Sequence, residues 1–147
     1  MKALIQRVSE ASVNIDGTVV GKIGRGLLIL LGIEKHDREQ DADSLVSRCS
    51  NLRIFPDDAG KMNRSVQDIG GSLLIVSQFT LCANCGKGTR PSFDAAAGPE
   101  HARLLYERFV SACKHLKSPV ATGEFGASMQ IALTNDGPVT ILLESRK

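Results

Sequence analysis

Cys82 and Cys85 form a Cys-x-x-Cys pair inside "SQFTLCANCGKGTRPSF", residues 77–93, and a glycine-rich basic loop follows at once. Residue types at that spacing admit a redox dithiol, half of a zinc site, or a phosphate cradle. A thioredoxin-like dithiol needs its first cysteine at a helix N-terminus, where the helix dipole lowers the thiol pKa. Here Cys82 reads as following a strand directly, and Asn84, Gly86 and Gly88 oppose a helix start. A zinc site needs two more ligands at suitable spacing. The other cysteines, Cys49 and Cys113, fall on apolar stripes where a free cysteine acts as a small hydrophobe, and His36, His101 and His115 are scattered. A P-loop fails too, because Leu81 stands where its first glycine belongs and Gly88 where its hydroxyl belongs. "GKIGRG" at 21–26 has the wrong glycine order for a dinucleotide fingerprint and links strands. The pattern thus calls for no metal and no cofactor. Lys87 and Arg90 keep two readings, contact with a phosphate or a solvated loop.

Nucleophilic catalysis is the next option. Ser77, Gln78 and Thr80 interrupt an otherwise apolar strand, "IVSQFTL", but no histidine lies near a strand end where a general base belongs. A hydrolase built on this chain must rely on something other than a side-chain general base. A second polar strand end, "LTNDGPVTILL", carries Thr134, Asn135, Asp136 and Thr140 around Gly137-Pro138. Taken singly, each also reads as a polar strand cap.

The elements that must position these residues follow from periodicity. "ASVNID-G-TVVGKIG" reads as two strands around a turn at Asp16-Gly17. "LLILLGI" and "SLLIVSQFTL" are continuous apolar runs, suited to strands covered on both faces. Between them "DREQDADSLVSRCSNLRIF" begins acidic and places Leu45, Cys49 and Leu52 on one face, so a helix is expected. "PDDAGKMNRSVQDIGG" reads as loop and turn. A second helix enters through Pro99 with Glu100 in its first turn and carries Leu105, Phe109, Ala112, Cys113 and Leu116 as its buried stripe. "ASMQIALTNDGPVTILLES" closes the chain as two strands joined around Asn135-Asp136-Gly137.

Composition narrows the class. With 147 residues the chain is read as one domain over 1–147, large enough to fold on its own core. A net charge of +2 permits an anionic partner, whereas a non-specific DNA duplex binder carries a clearer basic excess. The start "MKALIQRVSEASVNID" lacks an apolar segment of secretory type, and the run "GLLILLGI" is too short to span a bilayer. A cytoplasmic protein with reduced thiols and no membrane partner is expected.

The two polar strand ends together carry a resemblance. "SQFTL" at 77–81 and "NDGPVT" at 135–140 resemble the signature motifs of the D-aminoacyl-tRNA deacylases, the D-tyrosyl-tRNA(Tyr) deacylase family. The similarity runs along the chain through "QRV", "DGTVVGKIGRGLL", "NLRIF", "GKMN", "KGTRPSF", "LYERFV" and "TGEFGASMQIALTNDGPVT". It implies an α/β fold of the α+β kind, a mixed and mostly antiparallel sheet or partial barrel carrying two main helices, assembled as a homodimer. It also implies hydrolysis of the ester joining a D-amino acid to the 3′-terminal adenosine of tRNA, with L-aminoacyl-tRNA spared. In the family, Ser77, Gln78, Phe79 and Thr80 make the catalytic end of the pocket, and backbone N–H groups at Gln78, Phe79 and Thr80 can stabilise an oxyanion. Thr80 is either a nucleophile or hydrogen-bonding support, and water assisted by the ribose 2′-OH is the preferred attacker.

The same resemblance assigns chirality to a cis Gly137-Pro138 peptide from the partner subunit, with Asn135 and Thr140 beside it and Arg7 next to the Gly-Pro. Its carbonyls would hold the substrate ammonium and reject an L side chain while achiral glycine escapes, so mischarged glycyl-tRNA is a further expected substrate. Phe125, Gly126 and Met129 resemble the lining of the terminal-adenosine pocket, although Met129 also reads as plain core. Lys87 and Arg90 would hold the acceptor stem. "CANCG" at 82–86 departs from the family loop, which carries an aromatic residue and no cysteine pair.

Overall fold

The computed structural model describes residues 1–146. Strand β1 (Lys2–Ile15) turns at Asp16 and Gly17, both at positive φ of 48° and 80°, into β2 (Thr18–Ile23). Two left-handed residues in succession give the hairpin twist that matches the strands, and Gly17 adopts it without a Cβ penalty. β3 (Gly26–Gly32) then pairs antiparallel with the first half of β1, while β2 pairs with its second half.

Helix α1 (Glu39–Asn51) returns the chain to β6 (Ser72–Ser77), which lies parallel to β3. Helix α2 (Pro99–Lys114) leads in the same way to β7 (Val120–Thr122), parallel to β6. β8 (Gln130–Glu144) completes the sheet by pairing antiparallel with β1 along nearly its whole length. The sheet is therefore mixed, with three antiparallel pairings and two parallel ones. Its far edge curls back onto β2: a Cβ on Gly21 would lie 2.4 Å from the Thr122 carbonyl oxygen, so the partial barrel nearly closes at that point.

Alternation in the central strands sorts two cores. Leu27, Ile29 and Leu31 of β3, with Leu73 and Ile75 of β6, face the helices, where Leu45, Cys49, Leu105 and Phe109 meet them. Leu28, Leu74 and Val76 face the other way and pack with Val8, Ala11 and Val13 of β1. Two-sided burial is why both runs lack polar alternation. The expected helix stripes hold for Leu45, Cys49, Leu105, Phe109 and Cys113, while Ala112 and Leu116 are half-buried at the edge of the core and Leu52 stands just beyond the end of α1.

Three local expectations differ from the structure. The segment after α1 contains a short hairpin, β4 (Phe55–Pro56) with β5 (Met62–Arg64), whose turn is closed by Asp57 Oδ1 accepting the Ala59 and Lys61 N–H groups. β6 stops at Ser77, and Phe79–Cys82 form a 3-10 turn, so Cys82 ends a turn instead of following a strand. The C-terminal segment is one strand, not two. Both of its halves pair with β1, and Asn135-Asp136-Gly137 leads a bulge and not a reversal. No helix among the described residues is long and apolar enough to cross a membrane.

Candidate active site

The end of β6 opens onto a cavity of about 480 Å³ lined by residues from four segments. Ser77, Gln78 and Phe79 form its floor, and Leu31 and Ile33 continue β3 beside them. Ala97, Pro99 and Ala102 bring the start of α2, held there by the Ala97 N–H donating to the Ile33 carbonyl at 2.9 Å. Phe125, Gly126 and Met129 from the β7–β8 connection, with Ile131 at the start of β8, supply the other wall. Gly126 has φ 78°, a conformation that lets this wall turn and that a side chain resists. Met129 lines the cavity and also packs, partly buried, on the second core, and its sulfur occupies the space over Gly123.

The 3-10 turn decides which backbone donors face outward. Gln78 N–H donates to the Leu31 carbonyl at 2.8 Å, one ladder step beyond β6, so it is not available to a ligand and the expected donor set loses its first member. Leu81 and Ala83 N–H groups close onto Gln78 and Thr80 carbonyls. The Phe79 and Thr80 N–H groups, first in the turn, make no hydrogen bond among the described residues, as is usual for donors at the start of a helical turn. Gln78 Nε2 donates to Thr80 Oγ1 at 2.5 Å, fixing the hydroxyl beside those donors. The lining contains no histidine, aspartate or glutamate. His101 is spent on the Asp37 carbonyl and His115 on the Ser111 carbonyl.

Loop residues 84–92 spring from this turn. The Asn84 and Ser92 backbones exchange hydrogen bonds of 2.7 and 2.9 Å, and the Phe93 ring meets the Phe79 ring edge-on at 5.1 Å. Lys87 and Arg90 are exposed on this loop and do not line the cavity. Cys85 is exposed, whereas Cys82 is buried and burial raises its thiol pKa, with Glu34 adding to the effect. Cys49 and Cys113 are buried between the helices and are each pushed up to about 12, mainly by desolvation. Those shifts keep the buried thiols protonated and unreactive.

Asn135 to Val139 lie elsewhere. Gln6 aligns with Thr140 and Val8 with Asn135, so two steps along β1 are matched by five along β8 and the surplus bulges outward. Asn135 closes the bulge: its Oδ1 accepts the Val139 N–H at 2.8 Å, and its Nδ2 reaches the Val139 carbonyl, Thr140 Oγ1 and Gln6 Oε1. Arg7, opposite the bulge on β1, donates to the Asp136 carbonyl at 2.7 Å and to the Ile54 carbonyl at 2.6 Å. Gly137-Pro138 is cis, and both residues are exposed at the tip. Neither touches the cavity of its own chain. The Arg7–Asp136 clamp is a contact that spacing could not reveal, since the two residues meet only through β1–β8 pairing.

Known proteins resemble this chain over nearly its whole length. Residues 4–144 match the family model described as D-Tyr-tRNA(Tyr) deacylase. A D-aminoacyl-tRNA deacylase of Geobacter sulfurreducens is 58% identical over 99% of this chain and 96% of its own, and one from Thermosipho africanus is 56% identical over 100% and 99%. Among solved structures, a c-Myc DNA Unwinding Element Binding Protein superposes with TM-score 0.93 at 42% identity, covering 98% of both chains. A probable eukaryotic D-amino acid tRNA deacylase shares the fold alone, with TM-score 0.84 at 16% identity over 97% of this chain and 98% of its own. The chain belongs to the D-Tyr-tRNA(Tyr) deacylase family.

Proposed function

We propose that the protein is an enzyme that hydrolyses the ester between a D-amino acid and the 3′-terminal adenosine of tRNA. The observation that carries this reading is the pair of unused backbone N–H groups, Phe79 and Thr80, beside a cavity whose lining holds no general base. An aminoacyl ester is already activated, so such a site needs to orient it and stabilise developing negative charge. Fixed backbone donors do so without reorganising. Water adds to the ester carbonyl, the oxyanion rests on the two N–H groups, and collapse expels the ribose 3′-oxygen. The neighbouring ribose 2′-OH assists the proton transfers that no side chain here is placed to make. Because Thr80 Oγ1 accepts from Gln78, and only a donor touches it, Thr80 serves as hydrogen-bonding support and not as nucleophile.

Terminal adenosine occupies the cavity against Phe125, Gly126 and Met129. The Gly137-Pro138 tip of a second copy closes it, because this chain's own tip does not line its own cavity and β8 has no strand on its outer edge among the described residues. In that homodimer the Gly-Pro carbonyls hold the substrate ammonium and exclude an L side chain, and glycyl-tRNA, which has no side chain, is accepted. Lys87 and Arg90 meet the acceptor stem. The partner is a tRNA 3′ end in the cytoplasm; a net charge of +2 and a concave apolar cavity favour it over DNA, although the 42% identical protein is named for binding a DNA unwinding element.

Incubation with D-Tyr-tRNA and L-Tyr-tRNA, followed by measurement of remaining aminoacyl ester, tests the reading. Rapid loss of the D form alone is expected. Equal rates overturn the stereospecific hydrolase, and no hydrolysis with retained tRNA binding leaves a 3′-end binding module.

A further inference from the structure

Arg103 stands apart from most arginines of this chain. Arg7, Arg48, Arg108 and Arg146 spend their guanidinium donors on carbonyls or carboxylates. Arg103 makes no hydrogen bond or ion pair among the described residues, although Glu100 and Glu107 sit on adjacent turns of α2 and Glu124 precedes Phe125 in sequence. Its guanidinium instead lies over the Phe125 ring, 4.7 Å from the centroid. Phe125 is itself steadied by the Tyr106 ring at 5.7 Å, and the Tyr106 hydroxyl is anchored on the Ile75 carbonyl at 2.9 Å. One chain of contacts thus runs from the core strand β6, through Tyr106 and Phe125, to an exposed cation at the edge of the cavity.

A guanidinium held over a ring face by cation–π attraction, with no hydrogen bond of its own among the described residues, keeps its N–H donors free for an incoming anion. Free donors on a planar fork suit two parallel hydrogen bonds to a phosphate. A terminal nucleoside seated against Phe125 has one nearby anion, the phosphodiester joining it to the preceding nucleotide. We propose that Arg103 is a positioning residue that receives this phosphodiester and so sets how far the 3′ end enters the cavity. The inference rests on the deacylase reading above. It assigns to α2 a backbone contact distinct from those expected of Lys87 and Arg90.

The test compares two substrates for Arg103→Ala and Arg103→Lys: D-Tyr-tRNA, and D-tyrosyl ester on the 3′-oxygen of free adenosine, which has no phosphate. With D-Tyr-tRNA, Arg103→Ala is expected to raise KM about three- to tenfold with little change in kcat, and to flatten the dependence of log binding on log salt by about 0.7, one single-strand phosphate. With the adenosine ester its constants should match the wild type. Arg103→Lys should recover part of the KM, keeping the charge without the planar fork. Equal losses on both substrates would mean that Arg103 merely supports Phe125, and no loss on either would also overturn the proposal. If the wild type hydrolyses neither substrate, the deacylase reading fails by itself. Fluorescence titration of a labelled minihelix ending in CCA then decides Arg103, and equal affinity of wild type and Arg103→Ala overturns its role.

Discussion

The turn at 79–82 and the bulge at 135–139 carry the two signature motifs, and they are built by opposite means. In the first, the groups proposed to act are backbone donors left over because a short turn begins where a strand ends. In the second, side chains do the holding: Asn135 spans the bulge and Arg7 clamps Asp136 from across the sheet. A site of leftover donors tolerates side-chain replacement so long as the turn persists. A braced bulge depends on each brace. Catalysis should therefore be robust on the turn side, and selection fragile on the bulge side.

The largest effect should come from Gly137. A Cβ there would stand 2.4 Å from the Val139 nitrogen and 2.7 Å from Val139 Cγ2, so the tip must shift. Displacement on that scale costs on the order of 10²-fold in rate, and Gly137→Ala should lose about that much kcat/KM on D-Tyr-tRNA with Tm nearly unchanged, because the tip is exposed. Wild-type kinetics would break the idea that the bulge geometry selects. Asn135→Ala removes the brace yet leaves the chain path, and about tenfold loss with a falling D/L ratio is expected, roughly the weight of one or two hydrogen bonds. Unchanged stereoselectivity in that variant would show that Arg7 alone suffices.

On the turn side, Thr80→Val keeps both N–H donors and removes the hydroxyl. A loss of about tenfold or less fits a supporting hydrogen bond, whereas a loss of a covalent nucleophile is on the order of 10⁴ or more. Remote from both regions, the hydrogen bonds of Arg146 hold Asp41 down to about 2 from its usual 3.8. The pKa is depressed in the fold, so this pairing adds stability above pH 3.8 and loses it as pH falls toward 2. Thermal melts of Arg146→Ala should lie slightly below wild type at neutral pH, by a small solvent-screened margin, and converge with it near pH 2. Least of all, Cys85→Ser should leave both rate and Tm within about 10–20% of wild type, since no redox or metal role is proposed for that exposed thiol; lost activity would revive the Cys-x-x-Cys chemistry.

Local signals serve well wherever local physics decides. Asp16-Gly17 announces its hairpin, Pro99 its helix entry, and the stripe through Leu105 and Phe109 its buried face, because each depends on neighbours within a few residues. Where distant pairing decides, the sequence misleads. Asn135-Asp136-Gly137 has the composition of a hairpin turn, yet β1 holds both flanking halves in one direction. "SLLIVSQFTL" reads as unbroken strand, but β3 offers a ladder partner only as far as Leu31, and the chain curls into a turn beyond it. That same ladder step removes Gln78 from the expected donors. The apparent chemistry of Cys82 and Cys85 is a matter of residue type alone; burial of one and exposure of the other separates them.

One consequence of the strand pairing concerns synthesis. β1 aligns with β8 from Lys2 opposite Glu144 to Asn14 opposite Gln130, the first pair being 144 − 2 = 142 residues apart. Such long-range pairing gives a high contact order and slows folding. While a ribosome makes the chain, β1 can settle against β2 and β3, but its other edge waits for the last strand. The bulge that carries Gly137 and Pro138 is shaped only by that late pairing, so a nascent chain can form much of its core well before this exposed tip takes shape.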